Sequence, residues 1–465
     1  MNKIIALATV AVLAAPAAAQ ELRPDQVAFR DLYREMIETN TALSVGGCTD
    51  AAQKIAVRLK AAGFADADVT MFATPENPKE GGLVAILQGR DSKAKPILLL
   101  AHLDVVEAKR EDWTRDPFKM IDEGGYYYGR GTVDDKPQVA IFTDTLIRYK
   151  AAGKVPKRTL KLALTCGEET TYAFNGAEWL ARNKPELIAA EFALNEGGGG
   201  RLDAEGKPQG MAVQVGEKTV QNFQVEATNP GGHSSVPRAD NAITDLSMAL
   251  VKINTHRFPT QFNDTTRAYF TTLAGIAPAP VADAIRTLMA DPENKAANDL
   301  ITRDPLMNST TRTSCVSTLI SAGHANNALP QRATANVNCR IFPGITSESV
   351  MADLVSIIGN PAVKVTMTAP IRPIAVSPPL NPAVMDPIRK VAAKHFPGVP
   401  VTITMSTGGT DAPYLALANI PTYGIPGMFI DPDGNGVHGL NERMRINVLM
   451  KGRDYIDDLV HTLAD

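Results

Sequence analysis

Histidine and acidic residues recur in this chain directly after strand-like runs of mostly apolar residues. Residues 98–101 lead into His102 and Asp104, and residues 160–165 lead into a stretch that contains Glu168 and Glu169. Because parallel strands end at one edge of an α/β sheet, side chains that come after such runs gather at that edge. The pattern therefore predicts a shared site, whereas His102 with Asp104 alone would be more typical of a loop histidine.

Three more segments carry residues of the same types. GRGTVDDK places Asp134 and Asp135 after two glycines, which allow the backbone to approach a ligand closely. The strand-like segment ALN ends at Glu196, and VHGLNE near the C-terminal end presents His438. These residues lie at predicted strand ends or in the loops that leave them.

This set of side chains suits a metal centre. Two imidazoles and several carboxylates, without a thiolate, are typical ligands for zinc, cobalt or manganese in hydrolases. One carboxylate that bridges two ions, with one histidine and one carboxylate for each, gives metals about 3.5 to 4 Å apart that activate water and polarise a carbonyl. A carboxylate that binds neither ion can act as general base. Glu168 and Glu169 can divide these tasks, because adjacent side chains diverge.

Strands and helices alternate in the segments that must position these residues. The pattern predicts an α/β fold in which helices flank a mixed, largely parallel central sheet. Helical periodicity covers residues 25–62. Strands are predicted at 82–87, 96–102, 160–165 and 191–195, and further helices at 138–151 and 175–182.

A different order of elements begins near residue 218. Strands are predicted at 220–228, 313–320, 333–342 and 363–368, and helices at 241–256 and 347–358. This βαββαβ order is typical of a small, separate α+β domain. A polar insertion at 257–312, with helices predicted at 280–289 and 296–301, interrupts the order without adding recognisable chemistry.

The first pattern returns after residue 372, with helices at 383–395 and 447–463 and a strand at 401–404. We therefore predict one α/β domain at 20–217 and 373–465 that is interrupted by a second domain at 218–372. The chain has 465 residues, of which 44% are hydrophobic, which is enough for more than one core. Its net charge of -3, with both signs interspersed, argues against a nucleic-acid-binding surface.

The first residues predict export. Residues 1–19 combine Lys3, an apolar run over 4–15 and small residues up to Ala19, which is the pattern of a secretory signal peptide cleaved near Ala19. The run is shorter than the roughly 20 apolar residues that cross a bilayer. We expect the mature protein in the periplasm, without a membrane span.

Four cysteines leave the disulfide pattern open. Export permits a bridge, and Cys315 and Cys339 lie in two segments that could be neighbouring strands. Cys166 precedes Glu168 closely, but no histidine is placed as a base for a thiol nucleophile. We interpret Cys166 as a small buried strand residue.

Eight segments together resemble the M20 family of metallopeptidases, which includes carboxypeptidases, dipeptidases and aminoacylases. They fall in the family's order and cover nearly all of the predicted mature chain. The segments are HLDVV at 102, GRGTVDDK at 129, GEE at 167, NEGG at 195, GGHSSVP at 231, NCRIFPG at 338, GGTDA at 408 and HGLNE at 438.

The resemblance implies ligands for two divalent metal ions, with zinc as the expected metal and cobalt or manganese as alternatives. His102 and Glu196 would bind one ion, Glu169 and His438 would bind the other, and Asp134 would bridge the two.

The resemblance also implies groups that act beside the metals. Glu168 would be the general base and acid. Asp104 would hydrogen-bond to His102 and so fix the tautomer of its ring. The peptide between Asp134 and Asp135 would be cis.

The inserted domain would be the family's lid and dimerisation domain. His233 would stabilise the oxyanion, often in the site of a neighbouring subunit. Asn327 and Arg340 would contact substrate, with Arg340 pairing with a terminal carboxylate. Backbone donors near the substrate would come from Gly408, Gly409 and Thr410.

The sequence thus predicts an exported dinuclear-metal hydrolase that cleaves short peptides, of carboxypeptidase or dipeptidase type. An N-acyl-amino-acid deacylase with the same metal centre is the alternative within enzymes, and a non-catalytic binding homologue is the alternative of another class. Glu196, at a position where family members carry Asp or Glu, favours the carboxypeptidase and aminoacylase branches. We expect a peptide or N-acyl amino acid as partner, and a homodimer through the lid.

Overall fold

The computed structural model describes residues 21–170 and 174–465. The predicted signal peptide at 1–19 lies outside the described residues. Within the described ranges, none of the helices has both the length and the apolar character that crossing a membrane requires.

Residues 24–217 fold into five helices and nine strands. The helices are α1 (Pro24–Glu38), α2 (Cys48–Ala61), α3 (Lys136–Ala151), α4 (Gly176–Asn183) and α5 (Pro185–Ile188). The strands are β1 (Val69–Thr74), β2 (Asn77–Leu87), β3 (Ile97–His102), β4 (Ile121–Glu123), β5 (Tyr126–Tyr128), β6 (Leu160–Thr165), β7 (Phe192–Asn195), β8 (Gly199–Leu202) and β9 (Pro208–Glu217).

The helical periodicity over 25–62 corresponds to two helices with a loop between them. In that loop the Asn40 side chain accepts a hydrogen bond from the Ala42 N–H at 2.9 Å. Such local bonds compete with helical ones, which explains the break.

Residues 219–368 contain six strands and six helices. They are β10 (Thr219–Thr228), β11 (Gly232–His233), α6 (Ala242–Thr255), α7 (Asp264–Ile276), α8 (Ala279–Ala290), α9 (Lys295–Ile301), α10 (Pro305–Thr310), β12 (Ser314–Ala322), β13 (Ala328–Leu329), β14 (Arg332–Ile341), α11 (Ser347–Ile358) and β15 (Val363–Thr368). The remaining elements are α12 (Pro382–His395), β16 (Val401–Ser406), α13 (Ala412–Ala416), β17 (Thr422–Gly424), β18 (Phe429–Ile430), β19 (Arg443–Arg445) and α14 (Ile446–Ala464).

The central sheet has ten strands in the order β1-β2-β6-β3-β7-β17-β9-β8-β18, with β16 also paired to β9. It is mixed: β3 is parallel to both β6 and β7, whereas β1 and β2 add antiparallel strands at one edge. Every residue of β3 and β6 is buried, as expected for strands covered on both faces. The carboxyl ends of β3, β6 and β7 therefore meet at one edge.

A second, antiparallel sheet lies between residues 219 and 368 and has its own core. Its strand order is β12-β14-β10-β15. Apolar side chains of β10 and β14, such as Phe223 and Val337, pack with Leu246 of α6 and Leu354 of α11. Strand β12 lies at the edge of this sheet, and most of its residues are exposed.

The polar insertion contains α7 and α10 in addition to the two helices expected from its sequence. Helix α7 is rich in threonine, a β-branched residue that lowers helix propensity. Asn263 caps its first turn, and Phe270 packs with Ile285 of α8 and Ile301 of α9. Packing and capping outweigh the weak local preference.

All four cysteines form disulfides. Cys315 and Cys339 face each other across β12 and β14, so the bridge left open by the sequence is present. Cys166 is buried as expected, but it bonds to Cys48 at the start of α2. Sequence reasoning missed this second bridge because the two cysteines are 118 residues apart.

Candidate metal centre

Residues from three neighbouring parallel strands meet at the edge where those strands end. His102 is the last residue of β3, Glu196 follows β7, and Glu168 and Glu169 follow β6. The Nε2 atom of His102 lies 3.8 Å from Glu196 Oε1. The order of the strands alone brings these side chains together from distant parts of the chain.

Asp134 lies between the two predicted histidines. Its Oδ1 is 3.0 Å from His102 Nε2, and its Oδ2 is 3.1 Å from His438 Nε2. His438 Nε2 also lies 2.9 Å from Glu169 Oε1. A single carboxylate thus spans two imidazoles, which is the arrangement that a bridging ligand requires. The Asp134–Asp135 peptide is cis, as the resemblance implied.

The potential ligand atoms form two overlapping groups. Those of His102, Asp134 and Glu169 lie within 4.8 Å of one another, and so do those of His102, Glu168 and Glu196. Glu168 therefore belongs to the group that contains Glu196, whereas Glu169 lies next to His438. The adjacent glutamates diverge as the sequence predicted.

Glu442 holds the loop that carries Asp134, a role that sequence reasoning missed. Its buried carboxylate accepts hydrogen bonds from Arg130 Nη1 at 2.7 Å, from Gly131 N at 3.0 Å and from Val133 N at 2.7 Å. The only sequence signal was that Glu442 ends the segment HGLNE. It joins that segment to GRGTVDDK and so places His438 and Asp134 together.

Asp104 acts differently from the expectation. The Nδ1 atom of His102 donates to the main-chain oxygen of Asp104 at 3.0 Å, while the nearer carboxylate oxygen lies 3.6 Å away. The carboxylate instead accepts from the N–H groups of Glu169 at 2.9 Å and Glu168 at 3.4 Å. Asp104 therefore still fixes the tautomer of His102, but through its main-chain oxygen. Its side chain holds the turn that contains Glu168 and Glu169, called the glutamate turn below.

Two further contacts hold that turn. The Cys48–Cys166 disulfide ties the residue before Gly167 to α2. Buried Asp411 accepts from Thr165 Oγ1 at 3.0 Å and from Asn175 Nδ2 at 2.7 Å. The turn with Glu168 and Glu169 is thus anchored on both sides.

Crowded charges shift the pKa values of the imidazoles upward. Burial alone would lower the pKa of His102, but the charge of Glu196, the hydrogen bond with Asp134 and the nearby charge of Asp104 hold it well above the usual value. Hydrogen bonds with Asp134 and Glu169 raise the pKa of His438 to about 10.

The carboxylates respond in two ways. Burial, together with neighbouring acidic groups, raises the pKa values of Glu168 and Glu196 well above their usual range. Asp134 is the exception, because hydrogen bonds with His102 and His438 outweigh its burial and lower its pKa. The cluster carries more negative charge than its imidazoles balance, and its imidazole and carboxylate donors fit divalent cations.

Two predicted substrate residues meet where the two sheets adjoin. Arg340 of β14 pairs with Val220 of β10, and a Cβ atom on Gly409 would lie 3.5 Å from Val220 Cγ2. Arg340 Nε donates to Asn338 Oδ1 at 3.1 Å. Burial and the neighbouring charge of Arg372 lower the pKa of Arg340. Two close cations at this point suit an anionic group.

The expected row of free backbone donors is only partly present. Thr410 N donates to Glu217 Oε1 at 2.8 Å, and Gly408 N donates to Ser406 Oγ at 3.0 Å. Among the described residues, only the Gly409 N–H of the three has no partner. The buried Glu217 carboxylate takes Thr410 N because it lies directly beneath this loop.

His233 and Asn327 lie near each other. Strand β11, which ends at His233, pairs with β13, and Ser234 N donates to Asn327 O at 3.0 Å. The exposed imidazole of His233 hydrogen-bonds with Ser235. Within the described part of one chain, it forms no hydrogen bond or ion pair with a predicted metal ligand.

The sequence and the fold of this chain are similar to those of known proteins. A sequence profile of the peptidase family M20/M25/M40 matches residues 98–462. The human N-fatty-acyl-amino acid synthase/hydrolase PM20D1 is 28% identical over 401 residues, which are 84% of this chain and 78% of the human protein.

Two other proteins are similar over most of the chain. A probable carboxypeptidase S-like 2 of Dictyostelium discoideum is 28% identical over 375 residues, or 78% of this chain and 71% of that protein. The crystal structure of the M20 family metallo-carboxypeptidase Sso-CP2 from Sulfolobus solfataricus superposes with a TM-score of 0.71 at 17% identity, covering 95% of this chain and all of that one.

Proposed function

This chain belongs to the peptidase family M20/M25/M40, whose hydrolases act on amide bonds, and we propose that it cleaves the amide between an acyl group and an amino acid with a free carboxylate. The observation that carries the proposal is the Asp134 carboxylate between His102 and His438, with Glu168 beside it. A short peptide and an N-acyl amino acid both fit this description.

The geometry supports the residue roles that the resemblance implies. His102 and Glu196 would hold one divalent ion, Glu169 and His438 the other, and Asp134 both. Bound there, two ions supply Lewis-acid polarisation of the carbonyl and a more acidic water. The Glu168 carboxylate takes the proton of the attacking water and returns it to the leaving amide nitrogen, so that one water becomes part of an acid and an amine. We propose zinc as the metal, with cobalt or manganese as alternatives.

Arg340 would bind the carboxylate of the amino acid. A guanidinium matches a carboxylate in a two-pronged hydrogen bond, and Arg340 lies beside a second cation, Arg372. Glu217 holds the loop that contains Gly409, because its carboxylate accepts a hydrogen bond from the N–H of Thr410. Arg340→Met should therefore raise KM for substrates with a free carboxylate but not for the same substrates as carboxamides.

The experiment is a substrate panel on protein reconstituted with zinc or cobalt. N-acetyl amino acids, dipeptides and their C-terminal amides would be compared by amine release. Hydrolysis that requires both the metal and the free carboxylate supports the proposal. Protein that binds no metal and releases no amine after metal addition would favour the non-catalytic binding homologue instead.

Two relatives support different acyl groups. The human relative is described as an N-fatty-acyl-amino acid synthase/hydrolase, which favours N-acyl amino acids, and the Dictyostelium relative as a probable carboxypeptidase, which favours peptides. We retain the peptide as the second candidate, because the metal centre is the same for both substrates.

A homodimer through the edge strand β12 would complete the site. Val316, Leu319 and Ile320 of this strand are exposed, as are Met248 and Val251 of α6. An exposed apolar edge strand is suited to pairing with a second copy. His233, which forms no hydrogen bond with a predicted metal ligand of its own chain among the described residues, would then serve the partner. Leu319→Asp should give a monomer in analytical ultracentrifugation if this surface is the interface.

We also propose export to the periplasm. The support is the pattern of residues 1–19, namely Lys3, the apolar run and the small residues up to Ala19. N-terminal sequencing of protein produced in a bacterial host should show a mature chain that begins near residue 20, and an intact N-terminus in the cytoplasm would contradict it.

A further inference from the structure

A cavity of about 620 Å³ opens directly beside the metal centre. Asp134 and Glu196, two of the predicted metal ligands, form part of its wall. Exposed residues Arg201 and Gln209 also line it, so the cavity reaches the surface. We propose that this cavity binds the acyl group of the substrate and that the acyl group is a long hydrocarbon chain. The inference rests on the proposed function and specifies its substrate.

The remaining wall is largely aliphatic. Side chains from four separate segments contribute to it, which are Val133, Met211, the group Ile425, Met428 and Ile430, and Ile456. An apolar chain buried against such a wall gains roughly 25 cal/mol for each Å² that is removed from water. Surfaces of this kind select ligands by apolar area.

Three polar side chains in the wall already have partners within the protein, whereas the buried Oδ2 atom of Asp135, beside the metal centre, has none. Gln138 Nε2 donates to Leu100 O at 3.4 Å, Gln209 Nε2 donates to Asp203 Oδ2 at 2.7 Å, and Thr402 Oγ1 donates to Met211 O at 3.2 Å. A peptide in the cavity would bring N–H and C=O groups that need partners of their own. A hydrocarbon chain brings none, so it suits the aliphatic part of this wall better than a peptide does.

The glycine run at 197–200 shapes the cavity. A Cβ atom at Gly197, Gly198 or Gly200 would lie within 2.5 Å of a neighbouring atom, so close packing requires glycine at those positions. Gly199 differs, because its Cβ would meet only Met428 O at 3.8 Å. Packing does not require glycine there, and the missing side chain leaves room in the cavity wall.

The size of the cavity exceeds what one amino-acid side chain needs. A cavity of ~150 Å³ accommodates benzene, so 620 Å³ is about four times the space for a single aromatic ring. It falls within the range of roughly 300–1,000 Å³ for pockets that bury whole small molecules. A long acyl chain would use this space, whereas an acetyl group would leave most of it empty.

The first test varies chain length on one amino acid. We expect kcat/KM of the zinc-loaded enzyme to rise from the N-acetyl to the N-octanoyl and N-dodecanoyl substrate, by up to about fourfold for each added methylene, which is ~0.8 kcal/mol. Equal kcat/KM for all three, or a higher value for a dipeptide of the same amino acid than for the dodecanoyl substrate, would overturn the inference.

The second test places a side chain in the wall. Gly199→Leu should lower kcat/KM for the dodecanoyl substrate by about fifteenfold, the effect of excluding two methylenes, and leave the acetyl substrate within about twofold. Gly275→Leu is the matched control, since Gly275 of α7 has no atom within 4 Å of its ideal Cβ and does not line the cavity. Ile430→Trp is a second filling variant, and thermal unfolding checks that all three variants fold.

A binding measurement separates this inference from the proposed function. Dodecanoate should raise the unfolding temperature of the metal-free wild-type protein and of Gly275→Leu by more than that of Gly199→Leu, while acetate should raise none of them. If the enzyme cleaves short N-acyl amino acids but dodecanoate does not bind, the proposed function stands and the acyl cavity is refuted. If dodecanoate binds but no amide is cleaved, the proposed function fails.

Discussion

The division of labour between Glu168 and Glu169 can be tested by two substitutions of the same type. Glu169 Oε1 lies 2.9 Å from His438 Nε2, whereas Glu168 lies within the group that contains His102 and Glu196. Glutamine keeps the size of each side chain but removes the negative charge and the proton-accepting oxygen. Both main-chain N–H groups would still donate to Asp104, so the turn itself should persist.

Glu168→Gln removes the general base without removing a proposed ligand. We expect kcat to fall by about 10²- to 10⁴-fold, or ~3 to 5.5 kcal/mol, with metal content unchanged. Glu169→Gln removes a charged ligand, so the variant should lose the ion it shares with His438 and lose activity for that reason. The two variants thus give similar losses of turnover but different metal contents.

The assay combines amine release with elemental analysis of metal after dialysis against metal-free buffer. Excess zinc should restore part of the activity of Glu169→Gln and none of that of Glu168→Gln. The reasoning is refuted if Glu168→Gln loses both ions, or if Glu169→Gln retains both and is still inactive. Either result would mean that base and ligand are exchanged.

Three other predictions concern groups that support the site or the fold. Asp104→Asn replaces the carboxylate that accepts from the N–H groups of Glu168 and Glu169 by a side chain that is partly a donor. We therefore expect metal affinity, measured by competition titration with a chelator, to fall about 10- to 100-fold. An unchanged affinity would contradict this role of Asp104. Replacing both Cys48 and Cys166 by Ser should lower the free energy of unfolding by about 2–5 kcal/mol in urea titrations, because the bridge closes a loop of over a hundred residues. A smaller loss than that caused by Cys315→Ser would argue against this reasoning. Burial, with the neighbouring charges of Arg340 and Arg312, lowers the pKa of Lys218 to about 7. The unfolded chain keeps this proton up to the usual value of about 10.5, so the lysine destabilises the fold fully below pH 7 and progressively less as the pH rises to 10.5. Lys218→Met should therefore raise the free energy of unfolding by roughly 1–4 kcal/mol at pH 6 and by little at pH 10, and an equal change at both would refute the assignment.

Much of the site could be predicted because its residues come after strands that are recognisable from local patterns. The apolar runs before His102 and Glu196 predict buried parallel strands, and such strands place the residues after them at one edge of the sheet. The strand predicted at 160–165 agrees with β6, and the helix and strand predicted at 347–358 and 363–368 agree with α11 and β15. In these segments periodicity, turn residues and burial all favour the same structure.

The errors concern interactions between distant segments. The resemblance correctly implied that Asp104 hydrogen-bonds to His102. It did not show that the bond uses the main-chain oxygen of Asp104, because the carboxylate binds the glutamate turn from another segment. Thr410 was expected to offer a free N–H, yet Glu217 takes it. The domain boundaries at 217 and 372 remain a prediction, as do the role of His233 at the oxyanion and that of Asn327 in substrate contact.

The sequence by itself determined which donors are available and that most of them come after strands, since strand periodicity and residue type are local properties. The tertiary structure decided how these donors meet. Asp134 lies between His102 and His438 because Glu442 binds the backbone of its loop from more than 300 residues further along the chain. The cavity beside Glu196 likewise has walls from segments that are far apart in the chain, and its volume depends on their packing. Short-range sequence patterns carry no information about such distances, because they are set by contacts between residues that are far apart in the chain.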